Sequence, residues 1–179
     1  DSLGLAAADT LVAGYESGLV LQGLPYFSCD GTENMMGTQA DIPGTYQEYR
    51  QKADLRKLVK SPLKITLDAQ LDQSAIVYSV KLNSDESLPE NADLGLVLAV
   101  VEDSVNAYGK VFRHTVRMIY PDTRGEALNL GPSSEISRSR GIPLVSGWLP
   151  WRLSLVAYVR DNHTREVIQS ARARVFSAV

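Results

Sequence analysis

Few residues in this chain are of a type that does chemistry. Cys29 is the single cysteine, and His114 and His163 are the two histidines. One thiol makes no intrachain disulfide, no CxxC pair and no thiolate zinc cluster. A reactive thiol also needs a nearby cation or helix N-terminus, and solvent access. Cys29 lies in "GLPYFSCDG", residues 23–31. Alternation there puts it with Phe27, opposite Tyr26 and Ser28, so it reads as a small hydrophobe filling a core. His114 follows Arg113 at a strand start, and His163 sits in the turn "DNHT". Neither has a second His or a Cys at ligand spacing. A Ser-His-Asp triad assembles from distant segments, so spacing leaves one open, but no G-x-S-x-G elbow is present. Both histidines read as solvated. No catalytic, metal-binding or cofactor-binding residue is assigned, and no cofactor is expected.

Residues suited to binding are more numerous. "GWLPWRL" carries Trp148 and Trp151 on either side of Pro150. Such a pair either plugs the open end of a sheet sandwich or anchors a protein or membrane partner. Arg172 and Arg174 alternate with Ala171 and Ala173, so both point to one side of a strand. With Arg138 and Arg140 of "SRSRG" they form either a basic stripe for a partner or a solvated surface whose cations protect a sheet edge. Trp148, Trp151, Arg172 and Arg174 are therefore the candidate interface residues. Asn162-His163-Thr164 fits N-x-[ST], although Asn equally supplies turn geometry. "NSDESLPENAD" is acidic, but it lacks calcium-loop spacing and a glycine at the sharp turn, so it reads as a solvated loop.

Composition narrows the classes further. The 179 residues are 44% hydrophobic and 22% charged, as in a globular protein of one domain or two small ones. A net charge of −3 gives no footprint for nucleic acid. No apolar run approaches the length that spans a membrane as a helix. The opening "DSLGLAAADT" has no basic or apolar leader segment, and the expectation is the interior of a longer gene product.

Two periodicities divide the chain into residues 1–60 and 61–179. In the first part, Ala8, Leu11, Val12 and Tyr15 recur at helical spacing, with Gly14 and Gly18 weakening the end. A strand at residues 25–29 follows, then the hairpin signal Asp30-Gly31 and a return strand in "TENMMG". Pro25, Asp30 and Gly31 are structural in this reading. Thr45 and Glu48 have capping-box spacing, which predicts a helix from Thr45 with Tyr46, Tyr49 and Ala53 on one face. Ser61-Pro62 is a break. The second part reads as six to eight short strands: Leu63 to Leu71 alternate, residues 94–105 form a near-continuous apolar run, and a last hairpin surrounds "DNHT". "GPSSEISRSRG" reads as a Ser/Arg-rich loop. The expected fold class is α+β, a helix–strand–strand–helix layer plus an antiparallel β-sandwich, with a small barrel as the alternative.

The segments "DSLGLAAADTLVAGY", "GLPYFSCDG" and the helix from Thr45 resemble the second half of a thioredoxin fold. Leu24-Pro25 stands where thioredoxin-like proteins carry a cis-proline before the third strand. The whole chain resembles a thioredoxin-like domain followed by an immunoglobulin-like sandwich, as in bacterial surface and outer-membrane lipoproteins. There a "YxVxGxPxxxxDG" segment precedes the helix, and the chain closes in a hairpin like "LVAYVRDNHTREVIQSARARV". The first strand and CxxC of a thioredoxin-like domain have no counterpart here, so the redox role does not carry over to these residues.

The resemblance implies a non-catalytic extracytoplasmic interaction or structural module, in the periplasm, at the cell surface or membrane-associated. Its partner would be a protein in a larger assembly, with peripheral or lipid-anchored membrane association as an option. Two rivals stand beside it. One is the C-terminal part of a thiol–disulfide oxidoreductase whose CxxC lies upstream. The other is a carbohydrate-binding sandwich using Trp148 and Trp151.

Overall fold

Leu63, Leu67 and Ala69 turn inward along one strand while Lys64, Thr66, Asp68 and Gln70 face water. This alternation builds a sheet with one buried face. The computed structural model describes residues 26–36 and 41–177. The strands are β1 (Tyr26–Cys29), β2 (Glu33–Met36), β3 (Leu63–Asp72), β4 (Ala75–Ser84), β5 (Leu94–Glu102), β6 (Val105–Ala107), β7 (Lys110–Phe112), β8 (Thr115–Tyr120), β9 (Glu126–Ala127), β10 (Glu135–Pro143), β11 (Leu153–Asp161), β12 (Val167–Arg174) and β13 (Phe176–Ser177). The helix α1 spans Ile42–Arg56, and a 3-10 turn spans Pro150–Arg152. Among the described residues the fold is mostly antiparallel sheet with one α-helix, an α+β arrangement.

One sheet has the order β10-β4-β3-β13, and the other β12-β11-β5-β8 with β9 also on β5. Both contribute to one core. Ile76, Tyr78, Val80 and Leu82 come from the first sheet, and Leu96, Leu98, Val100, Leu155 and Val159 from the second. Strand β5 is buried along its whole length, which explains its unbroken apolar sequence. After β12 the chain passes through buried Val175 and joins the opposite sheet as β13, parallel to β3.

Between residues 61 and 177 eleven strands are described against the six to eight expected; seven have six residues or more. Four further strands of two or three residues lay below what periodicity detects. The Ser/Arg-rich "loop" is a correction. Glu135–Pro143 is β10, paired with β4 along its length. Its alternation is masked because the strand lies at a sheet edge, where only Ile142 is fully buried.

The start of α1 is a second correction. Asp41, not Thr45, is the N-cap: its Oδ1 accepts from Gly44 N at 2.6 Å, and Pro43 fits the first turn. Tyr46 is 62% exposed, so the packed face runs instead through Tyr49, Ala53 and Arg56. Phe27 of β1 stacks on Tyr49 with ring centroids 4.4 Å apart. Asp30 and Gly31 form the hairpin turn with φ of 52° and 74°, and Thr32 N donates to Cys29 O. The first predicted helix, Leu24 and Pro25 lie outside the described residues. The Tyr120–Pro121 bond is cis.

Hairpin and helix rest on the sandwich through two kinds of contact. Val167 N donates to Asp30 O at 2.9 Å. Arg56 donates through Nη2 to Glu166 Oε1 and through Nε to Asp30 Oδ2 at 3.3 Å. A cleft of about 320 Å³ opens beside this clamp, lined in part by Lys60, Pro62, Pro89 and Asp161.

Candidate functional site

The turn at Gly147, with φ of 88°, sends Trp148 into the core and leaves Trp151 75% exposed. Two tryptophans three positions apart therefore do opposite things. Trp148 closes the sandwich end, while Trp151 sits in the 3-10 turn begun by Pro150, a residue suited to that position by its fixed φ. The two rings form no shared stacking platform, so a glycan site needing both of them is not built here. Phe176, 65% exposed, lies on β13, which touches the same turn.

The β6–β7 hairpin belongs to the same end. Its two-residue turn is Tyr108-Gly109, with φ of 52° and 70°. Such a turn favours Asn, Asp or Gly at its first position, because a β-carbon there approaches the carbonyl at a cost of about 1–2 kcal/mol. Tyr108 occupies it with its side chain in water, 76% exposed. No burial within the described residues offsets that cost. Val111 and Val145 are also exposed here.

Between turn and hairpin lies a concavity of about 500 Å³, with Glu102, Ser104, Asn106, Arg117, Leu149 and Arg152 among its lining residues. Glu102, at the end of β5, is the one acidic side chain buried in the described structure. Its Oε1 accepts from Leu149 N at 3.2 Å, and its Oε2 faces Arg117 Nε at 3.4 Å. An ionised carboxyl removed from water needs such compensation. Arg152 Nη1 donates to Ser104 O at 2.8 Å, and Asp103 N donates to Arg152 O, tying the 3-10 turn to the end of β5. No periodicity signal in the sequence marked Glu102 or Arg117. Their relation depends on β5 and β8 being neighbours with a register shift at Val100/Val101.

The remaining candidates fall elsewhere. Arg172 and Arg174 are exposed on β12, and Arg172 Nη2 donates to Ser154 Oγ at 3.0 Å. Arg138 and Arg140 lie on β10 at the opposite edge, where both pair with Glu126 at 2.8 and 3.2 Å. The four arginines do not form one stripe. Cys29 is half-buried, and burial, then the neighbouring Asp30 carboxylate, push its thiol up. A raised thiol holds less thiolate, the nucleophilic form. His114 and His163 are exposed, and no group of three His, Cys, Asp or Glu able to hold a metal exists among the described residues. Asn162 Nδ2, the atom a glycan would occupy, is engaged with Arg124 O at 3.1 Å. In the acidic loop, Asp85 accepts from Ser87 N and Oγ, and these bonds hold its carboxyl below the usual range.

No protein-family model and no curated protein matches this chain. Among solved structures, HBP35 of Porphyromonas gingivalis superposes with a TM-score of 0.74 at 17% identity, over 93% of this chain and 57% of that one. The chain thus spans just over half the length of that structure. Coverage of 93% is more than the sandwich alone supplies, so the shared fold reaches into the part before residue 61. A domain of the outer membrane lipoprotein Omp28 from Porphyromonas gingivalis matches at TM-score 0.49 and 18% identity, over 68% of this chain and 93% of that one. Spo0M, a sporulation control protein from Bacillus subtilis, matches at 0.39 and 11%, over 68% and 51%. The last two likenesses are too loose to carry weight.

Proposed function

We propose that this chain is a non-catalytic interaction module that docks a protein partner through the tryptophan end of its sandwich. The observation carrying this is a set of exposed apolar side chains, between 61% and 76% exposed: Tyr108 and Val111 on the β6–β7 hairpin, Trp151 in the 3-10 turn, and Phe176 on β13, which touches that turn; hairpin and turn border one concavity. Large aromatics left in water together, one of them on an unfavourable backbone, are what interface hot spots are made of. The hairpin followed by a helix is read as a thioredoxin-like remnant, and the seven principal strands as an immunoglobulin-like sandwich. The sequence resemblance to bacterial surface lipoproteins supports an extracytoplasmic setting, as a subunit or accessory of a surface or membrane-associated assembly.

A photo-crosslinking amino acid placed at Val111 or Val145 of the full gene product, in its own host, tests the docking face. Discrete protein adducts at both positions, and none from the same group at Ser79 on the flank of β4, are expected. Equal yields at all three positions would refute the assignment. Fractionation of the same cells checks the setting, and a purely cytoplasmic protein would refute it. Insulin reduction by the full gene product tests the absence of redox chemistry; turnover lost in Cys29→Ser would reverse it.

A further inference from the structure

We propose that the concavity at the tryptophan end receives a carboxylate from an acidic segment of the protein partner, between Arg117 and Arg152. This rests on the docking face proposed above and adds the chemistry of what docks. Three observations carry it. First, the cations are only partly compensated. Glu102 Oε2 faces Arg117 Nε at 3.4 Å, a long contact on one side of that guanidinium. Arg152 spends one nitrogen on a neutral carbonyl and forms no ion pair among the described residues. Arg117 alone pairs with the buried Glu102 carboxylate, and half-buried Arg152 has no carboxylate partner among the described residues. Asp103 follows Glu102 in sequence, and its Oδ1 accepts from Ser104 N. Arginine in such a position is suited to bidentate capture of a carboxylate.

Second, the surroundings add to the field. Residues 102–117 and 145–152 carry four cations, Lys110, Arg113, Arg117 and Arg152, against the two carboxylates Glu102 and Asp103, in a chain of net charge −3. A cationic end on an acidic molecule steers an acidic partner to that end. Third, the rim is aliphatic as well as aromatic. Val105 lines the concavity, exposed Val111 pairs with its lining residue Asn106, and exposed Val145 precedes its lining residue Ser146. Branched aliphatic side chains suit the apolar residues of a peptide better than the hydroxyls of a sugar. A volume of about 500 Å³ admits one or two side chains of such a segment. Glu102 acts as a positioning residue: it is held by Leu149 N and fixes Arg117 at the mouth.

An array of twelve-residue peptides tests this, with Leu, Phe or Trp alternating with Glu, Gln or Lys. Peptides carrying Glu are expected to bind, their Gln counterparts at least about tenfold more weakly, and their Lys counterparts not at all. Raising salt from 50 to 500 mM should weaken the Glu peptides several-fold. Arg152→Gln should lose about tenfold in affinity for the Glu peptides while keeping the thermal midpoint. Arg117→Gln is a second variant, its folding checked by circular dichroism because Glu102 then loses its cation. Equal binding of Glu and Gln peptides, unaltered binding by Arg152→Gln, or no binding by any peptide would overturn the proposal. A glucuronic-acid oligosaccharide binding where no peptide does would also overturn it. Crosslinks at Val111 and Val145 with no preference for Glu peptides would leave the docking face intact and remove only the acidic partner.

Discussion

Replacing Arg56 with Met should free the hairpin–helix layer while leaving the sandwich folded. Helix α1 buries none of its residues fully, and among the described residues the shared core includes nothing before Leu63. Stacking of Phe27 on Tyr49 and the Lys52–Glu33 pair at 3.2 Å hold the helix to its hairpin, not to the sandwich. What joins layer to sandwich is chiefly Arg56, whose side chain is 15% exposed, between Glu166 at 33% and Asp30 at 42%. A hydrogen bond to a charged group contributes about 1.5–3 kcal/mol. The Asp30 arm joins helix to hairpin within the layer and does not resist separation from the sandwich. The Glu166 bond therefore sets the link at about 1.5–3 kcal/mol, or roughly 10–150-fold in the opening equilibrium. Methionine keeps much of the apolar stem, so the loss is mainly the charge and its bonds. Native-state hydrogen exchange read by mass spectrometry resolves the effect. Amides of Ile42–Arg56 should exchange about 10–150-fold faster, while those of β5 and β11 stay unchanged. Glu166→Gln should produce the larger part of this, because Glu166 is also the first cause of the raised Arg56 pKa. Equal loss of protection in β5 and β11 would refute the reasoning, since layer and sandwich would then open as one unit. No change in the helix would refute it from the other side.

Trp148→Ala should cost about 3–5 kcal/mol in urea denaturation, by loss of a large core side chain, whereas Trp151→Ala should stay within about 0.5 kcal/mol. Gly125→Ala should destabilise by at least about 2 kcal/mol in the same assay, because φ is +79° and a β-carbon would meet Leu96 C and O at 2.6 Å. The depressed Asp85 carboxyl stabilises its turn above the unfolded-state pKa and loses that contribution as pH falls through the lower native value. A carbon-13 NMR titration should therefore place its midpoint below 3.8, moving upward in Ser87→Ala. Cys29, with its thiol pushed up by burial, should react with iodoacetamide at pH 7.5 more slowly than free cysteine, and at the free rate in guanidinium.

The alternation of β3, the apolar run of β5, the Asp30-Gly31 turn and the hairpin around residues 161–166 were all legible in the sequence, because each is a local pattern imposed by a strand's two faces or a turn's φ. Strand β10 was not. Its membership comes from pairing with β4, some sixty residues earlier, and an edge strand need not alternate. The N-cap of α1 was misplaced for a different reason. Thr45-x-x-Glu48 satisfies the capping-box pattern, but Asp41 four residues earlier offers a carboxylate oxygen to Gly44 N and a Pro for the first turn.

The candidate site divides in the same way. Composition alone disfavoured a disulfide or His-rich metal chemistry, since one cysteine and two histidines offer few ligands in any fold. The sequence also marked "GWLPWRL" as an end-cap or an anchor, without telling which ring did what. The tertiary structure separates them. The backbone at Gly147 turns Trp148 into the core and leaves Trp151 in water. It also brings Glu102, Arg117 and Arg152 together from β5, β8 and the 3-10 turn. Local patterns report which face a residue takes within its own element. Which charges meet depends on strand order and register, and those are set by distant pairings that no single stretch of sequence contains.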